Sequence, residues 1–134
     1  MLPKSMGYKL YWAGRYLERM ENVCRCALLS LRNGLSIEEL SREYGLEGTE
    51  GMINYLKQSF QYLRENVRGF GDQTVLIQLN SLEFLLDSEK EDLIVYFETV
   101  LKGVNDFGST IEKFFVLVKP EMKIQSQEEN QPER

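Results

Sequence analysis

The chain has 134 residues, of which 43% are hydrophobic and 28% are charged, and its net charge is −5 at pH 7. This composition is typical of one globular domain that can bury a core without disulfides. The acidic balance argues against nucleic acid as a default partner, because phosphate binding needs a concentrated basic surface. The absence of histidine excludes an imidazole general base and the zinc and di-iron sites that contain histidine.

No apolar run approaches the roughly 18–20 residues of a membrane span, and the start MLPKSMGYK lacks the apolar segment of a secretory signal. We therefore expect a soluble cytoplasmic protein. The only cysteines are Cys24 and Cys26. On a helix their side chains point about 200° apart, so they can neither bond each other nor share a metal. We expect core thiols in a reducing compartment.

The first half of the chain predicts two long helices with a short one between them. The first apolar seam alternates steps of four and three: Ala13, Leu17, Met20, Cys24, Ala27 and Leu31. Ser36 and Glu39 form a capping-box pattern for a short helix that Gly45 ends. Thr49 is the predicted cap of the next helix, whose seam is Met52, Leu56, Phe60, Leu63, Val67 and Phe70.

The second half predicts two more helices. The segment 75–86 is apolar over most of its circumference; its composition also allows a strand, but its length and the lack of a partner strand favour a buried helix. Ser88 is the predicted start of the last helix, in which Gly103 and Gly108 allow a bend or a close neighbour. Its seam is Leu93, Phe97, Val100, Val104, Phe107, Ile111, Phe114 and Val118.

These segments predict an all-α fold, an antiparallel bundle of about four main helices plus one short helix. We expect a single domain over residues 1–118. Residues 119–134 are polar and are expected to form a disordered tail. The sequence shows no internal repeat.

One stretch, LYWAGRYLERMEN at residues 10–22, mixes charges with aromatic side chains. Arg15, Glu18, Asn22 and Arg25 lie almost opposite the apolar seam at steps of three, four and three, so neighbours can pair. A solvated face is the simpler interpretation, with about 0.3–0.5 kcal/mol per ion pair. Because Tyr11 lies on the same side, partial cover by another helix or a second subunit remains open.

A second charged stretch, LRENVRGFGDQ at residues 63–73, carries Arg64, Arg68 and Asp72 at steps of four, with Glu65 beside the first. If the two charged faces meet, Glu18 and Glu21 can pair with Arg64 or Arg68, and Glu65 and Asp72 with Arg15, Arg19 or Arg25. We therefore predict one interhelical network that includes Glu18, Arg19, Arg64 and Arg68. Losing one partner of a buried ion pair costs about 3–5 kcal/mol.

Both stretches resemble the Alpha-E family, a helical domain named for its Glu-Arg motif. LYWAGRYLERMEN is similar to a family signature of the form L-Y-W-x-G-R-Y-x-E-R-x-E-N, and RENVRGFGDQ is similar to R-E-N-x-R-x-x-x-D-Q. The resemblance covers residues 10 to about 80. Typical members are about twice as long, so we expect a half-length relative that completes itself as a homodimer. Gly71 stands where the family pattern suggests a charge.

The resemblance implies function only by context, since it carries over no established activity. Members accompany ATP-grasp-type ligases and transglutaminase-like proteins, which implies a non-catalytic accessory or interaction domain for peptide- or amide-bond formation, without a cofactor. The residues carried over form either a structural network or a ligand site: Arg15, Glu18, Arg19, Glu21, Asn22, Arg25, Arg64, Glu65, Asn66, Arg68 and Asp72. Arginines can bind a carboxylate or phosphate through paired N–H groups.

Two other functions fit parts of the sequence. Residues 36–58, SIEELSREYGLEGTEGMINYLKQ, have the outline of a DNA-binding helix-turn-helix, but the second helix lacks Arg or Lys before Lys57, and recognition helices need such donors. A magnesium- or manganese-dependent enzyme could use Glu18, Glu21, Glu65 and Asp72 as oxygen ligands. No recognisable ligand spacing supports the metal site.

Overall fold

The computed structural model describes residues 4–117, with side chains up to Phe114. This part of the chain forms five helices and no strand: α1 (Lys4–Arg32), α2 (Ile37–Glu43), α3 (Gly48–Val67), α4 (Gln73–Leu86) and α5 (Leu93–Leu117). The all-α fold with four main helices and one short helix is confirmed. The polar tail, and Val118 of the last seam, lie outside the described residues. None of the described helices combines the length and apolarity needed to cross a membrane.

The core lies where α1 packs between α3 and α5, while α4 packs on α5 and α2 packs on α3. α1 runs antiparallel to both of its main neighbours: Arg32 at the end of α1 bonds Glu98 near the start of α5, and Tyr16 of α1 packs against Tyr62 near the end of α3. Every predicted seam residue up to Phe114 is buried or packs against the buried cluster. The apolar periodicity therefore placed the core correctly.

The turn between α2 and α3 is closed by a serine that sequence analysis did not single out. Ser36 caps α2 as predicted, because its side chain accepts a hydrogen bond from the Glu39 amide at 3.2 Å. The prediction of Thr49 as the next cap is wrong, since α3 already begins at Gly48. The buried Ser41 hydroxyl accepts a hydrogen bond from the Gly48 amide at 2.8 Å and donates to the Glu38 carbonyl at 2.7 Å. The bond from Gly48 ties the first residue of α3 to α2, and the bond to Glu38 holds the Ser41 hydroxyl within α2.

The segment 75–86 is a helix, as favoured, and α4 begins two residues earlier than expected because Asp72 caps it. The predicted start of the last helix at Ser88 is wrong: Ser88 donates its hydroxyl to the Leu85 carbonyl at the end of α4. α5 begins only at Leu93, where the Asp92 side chain accepts from the Val95 amide at 3.2 Å. Serine and aspartate side chains both form hydrogen bonds with nearby backbone groups, so the sequence alone allowed either Ser88 or Asp92 as the cap.

Candidate functional site

The outer face of α1 carries a continuous row of exposed side chains at alternating steps of three and four. We call this row the α1 stripe: Tyr8, Tyr11, Arg15, Glu18, Asn22, Arg25 and Leu29. It lies opposite the buried face of α1, which contacts α3 and α5. Tyr8, Tyr11 and Leu29 are each more than half exposed. None of these seven residues is needed to cover the core, so the stripe is available for other contacts.

The charges of the α1 stripe pair within their own helix. Arg15 lies 3.5 Å from Glu18, and Arg25 lies 2.8 Å from Glu21 (nearest N and O atoms). The Glu18 side chain is 64% exposed. The ion pairs predicted between α1 and α3 are therefore not formed among the described residues, because the charged face of α1 points away from α3. In a single chain the solvated-face interpretation holds for these charges.

Arg19 lies at the edge of the stripe, on an aromatic row that continues onto α3. Its guanidinium carbon lies 5.0 Å from the centre of the Tyr16 ring, a cation–π geometry. The Tyr16 ring lies between Trp12 at 6.0 Å and Tyr62 of α3 at 5.2 Å, measured between ring centres. Tyr16, with Trp12 beside it, thus lies over the groove between α1 and α3, which explains part of the aromatic content of residues 10–22.

Among the predicted site residues in the described part of the chain, only Arg64 makes an ion pair with another helix. Its partner was not predicted. Its guanidinium bonds Glu83 of α4 and lies 5.0 Å from the centre of the Phe60 ring. The Arg64 side chain is only 19% exposed, so it joins α3 to α4. Glu83 was missed because no sequence pattern relates it to Arg64.

The remaining predicted residues of the second stretch have local roles or face solvent. Asp72 accepts a hydrogen bond from the Val75 amide at 2.9 Å and so caps α4. The side chain of Asn66 donates to the Tyr62 carbonyl at 2.8 Å. Glu65 and Arg68 are exposed. Apart from Arg64, this stretch therefore shows helix-end chemistry rather than a gathered charged site.

Surface grooves occur in the described part of the chain where α5 meets α3 and α4. One of about 530 Å³ lies between α3 and the start of α5, and one of about 310 Å³ lies between α4 and α5. Of the eleven predicted site residues only Asp72 lines either of them. Among the described residues, no group of three or more acidic or cysteine side chains is placed to hold a metal ion.

The outer face of α4 is a second candidate surface, which sequence analysis did not identify. We call it the α4 face: Gln73, Ile77, Asn80 and Phe84, all exposed and spaced by four, three and four residues. Phe84 is 76% exposed and Ile77 is 53% exposed. The one charged residue of α4 is Glu83, which Arg64 already pairs. The signal was the near absence of charge in residues 73–86, which the sequence analysis took only as a sign of burial.

The helix-turn-helix outline corresponds to α2 and α3, which do pack against each other. The exposed side chains at the start of α3 include Glu50 and Asn54, and Lys57 forms an ion pair with Asp87 at 3.3 Å. Nothing in these turns supplies the cluster of donors that a DNA groove requires.

The two cysteines differ in their surroundings. Cys24 is fully buried, and burial, together with the nearby charge of Glu21, raises the pKa of its thiol to about 12. Cys26 is half-buried beside Tyr44, whose own pKa is raised by burial and by the neighbouring thiol. A thiol that stays protonated at neutral pH is a poor nucleophile, so Cys24 serves as a packing residue.

A family model described as a predicted alpha-helical domain with a conserved ER motif matches residues 2–96. The chain belongs to the Alpha-E family. The match takes in α1 to α4 and the first residues of α5, which is more than the two stretches at 10–80 suggested. No curated protein and no solved structure matches the chain.

Within the matched residues the Glu-Arg dipeptide of Alpha-E occurs once, at Glu18 and Arg19. In this chain the two side chains are exposed and point to different neighbours: Glu18 to Arg15, and Arg19 to the Tyr16 ring. The dipeptide therefore lies on the surface of the bundle, within and beside the α1 stripe.

Proposed function

We propose that the chain is a non-catalytic accessory domain that binds an ATP-grasp-type ligase of a peptide- or amide-forming system, and that it does so through the α4 face. The resemblance to Alpha-E proteins supports the ligase as partner. The choice of the α4 face as the binding surface rests on Phe84, which is 76% exposed in a helix whose single charged residue is already paired.

The chemistry of the α4 face suits a protein partner. A contact that buries this face removes Phe84 and Ile77 from water, at about 25 cal/mol for each Å² of apolar surface. It buries no unpaired charge, so the large desolvation cost of ions does not arise. Aromatic side chains that enter a pocket of the partner usually carry most of the binding energy of such contacts.

The positions of the charged residues agree with a binding role rather than a catalytic one. The acidic side chains predicted as possible metal ligands are separated: Glu18 and Glu21 pair with arginines of α1, Asp72 caps α4, and Glu65 faces solvent. A reaction centre needs groups that converge on one point.

The test is a binding measurement with purified components. The chain is immobilised, an ATP-grasp-type ligase from the same organism is passed over it, and Phe84→Ser is compared with Leu35→Ser as control. Leu35 is also a large, exposed apolar residue but lies in the turn after α1. We expect wild type and Leu35→Ser to bind alike and Phe84→Ser to bind about ten- to thirtyfold more weakly. Absence of binding by wild type, or equal binding by both variants, would refute the proposal.

A further inference from the structure

The α1 stripe is long and regular enough to be a helix–helix contact. From Tyr8 to Leu29 it extends over 21 residues, about 32 Å along the helix at 1.5 Å per residue. Alternating steps of three and four keep such residues on one side of a helix, as in the contact seam of two supercoiled helices. Three of its residues, Tyr8, Tyr11 and Leu29, present apolar surface and are more than half exposed, although the Tyr8 and Tyr11 rings also contact Trp12 of the same helix.

The order of the residues along the stripe is self-complementary. In a pair of copies related by a two-fold axis, residue i meets residue j of the other copy and j meets i. An axis placed between Arg15 and Glu18 brings Arg15 of each copy opposite Glu18 of the other. The same axis brings Tyr11 opposite Asn22 and Tyr8 opposite Arg25, and the latter is a cation–π combination.

Two other arrangements of the same two helices bring like charges together. In a parallel pair each residue meets its own copy, so that arginine faces arginine at positions 15 and 25 and glutamate faces glutamate at position 18. An antiparallel pair shifted by seven residues puts Arg15 opposite Arg25. Like charges in direct contact are unfavourable. A shift of seven residues in the other direction places Tyr11 opposite Arg15 and Tyr8 opposite Glu18, without a pair of opposite charges. Of these arrangements, the antiparallel register centred between Arg15 and Glu18 is the one that pairs arginine with glutamate.

The alternation of charges along the stripe suits a second copy of this chain as the occupant. The whole chain carries −5, so two copies repel through most of their surfaces. The stripe instead carries Arg15, Arg25 and Glu18. The intrahelical contact between Arg15 and Glu18 is 3.5 Å long with both side chains about half exposed or more, so it is weak and can be exchanged for contacts across an interface.

We propose that the α1 stripe is the contact surface between two copies of this chain, which pair antiparallel about a two-fold axis between Arg15 and Glu18. The dimer leaves the α4 face of each copy free. Glu18 of the Glu-Arg dipeptide is then the residue that selects the register.

Charge reversal with sedimentation analysis tests this proposal. In the proposed dimer, Glu18→Arg places an arginine opposite Arg15 in both of the contacts related by the two-fold axis. Arg15→Glu places a glutamate opposite Glu18 in the same two contacts. Each single variant should weaken the dimer at least about tenfold. An equal mixture of the two single variants should dimerise again, because each copy then meets the opposite charge. The double variant with both changes should dimerise like wild type. Lys102→Glu reverses a charge on the exposed side of α5 and is the matched control, with circular dichroism to confirm that all variants are folded.

Each outcome decides the question. A wild type that sediments as a monomer at every concentration overturns the proposal, and so does a dimer that both single variants leave intact. A double variant that dimerises no better than either single variant overturns the antiparallel register, since only that register restores both pairs. Ligase binding lost in Phe84→Ser but kept in Glu18→Arg would support the proposed function independently of the dimer.

Discussion

The pair Arg64–Glu83 offers the sharpest test of how charge contributes to this bundle. It joins α3 to α4, with side-chain exposures of 19% and 37%, so it lies between a surface pair and a buried one. Exposed pairs contribute about 0–1 kcal/mol, whereas removing one partner of a buried pair costs about 3–5 kcal/mol. Since Arg64 also keeps its contact with the Phe60 ring, we expect Glu83→Gln to lower the free energy of unfolding by about 1–2 kcal/mol.

The chain contains a matched control for this substitution. Arg32 and Glu98 also join two helices, α1 and α5, but both side chains are about half exposed. Glu98→Gln should therefore cost no more than about 0.5 kcal/mol. Urea unfolding followed by circular dichroism, at one fixed protein concentration because dimerisation would stabilise the folded state, gives both values.

A double-mutant cycle then separates the energy of the Arg64–Glu83 ion pair from other effects of changing either side chain. Arg64→Met keeps most of the packing of the side chain and removes the charge, so adding Glu83→Gln to it should cost less than Glu83→Gln alone. If Glu83→Gln is no more harmful than Glu98→Gln, partial burial does not strengthen the pair and the reasoning fails.

Two further predictions concern α5 and the buried thiol. Gly108→Ala should raise the free energy of unfolding by about 1 kcal/mol, since alanine favours the helix and its Cβ would meet no atom of another part of the chain within 4 Å. Gly103→Ala should be at least about 1 kcal/mol less stable than Gly108→Ala, because its Cβ would lie 2.6 Å from the Leu85 Cδ1 atom. Equal urea midpoints of the two variants would contradict the packing argument. The second concerns pH: the pKa of Cys24 rises from 9.0 to about 12 on folding, so above pH 9 the unfolded thiol loses its proton while the folded one keeps it. The contribution of the Cys24 thiol to the free energy of unfolding should be constant below pH 9 and fall as pH rises toward 12. In urea titrations, Cys24→Ala should therefore lose less stability than wild type between pH 9 and 12. An equal loss in both proteins would mean that other groups cause the alkaline destabilisation.

Apolar periodicity was sufficient to predict which face of each long helix is buried, because burial of one stripe is the main source of helix stability in a folded domain. Helix ends were predicted less well. Ser88 and Thr49 have the side chains of caps, yet the chain uses Asp92 for α5 and a hydrogen bond from the Gly48 amide to Ser41 at the start of α3. The choice between such neighbours depends on where the preceding helix ends in space, which a local pattern does not contain.

The charged residues were placed on their helices correctly but given the wrong neighbours. The spacing of Arg64 shows the side of α3 on which it lies, whereas the identity of the facing helix depends on how the bundle closes. That helix is α4, and the partner is Glu83 rather than a residue of α1. Phe84 was missed for a related reason: an apolar segment predicts burial on all sides, and only the packed structure shows that one side of α4 is left exposed by the described residues 4–117.

The mixture of aromatic and charged side chains on α1 then has two sources. Trp12 and Tyr16 lie toward α3, where the Tyr16 ring contacts Trp12 on one side and Tyr62 of α3 on the other. Tyr8 and Tyr11 lie on the exposed side together with the stripe charges, and their rings also contact Trp12. A helix that packs against its own bundle on one side and against a second copy on the other needs apolar contacts on both sides. It needs charges only on the side where direction and register must be selected, and that is the side on which Arg15 and Glu18 lie.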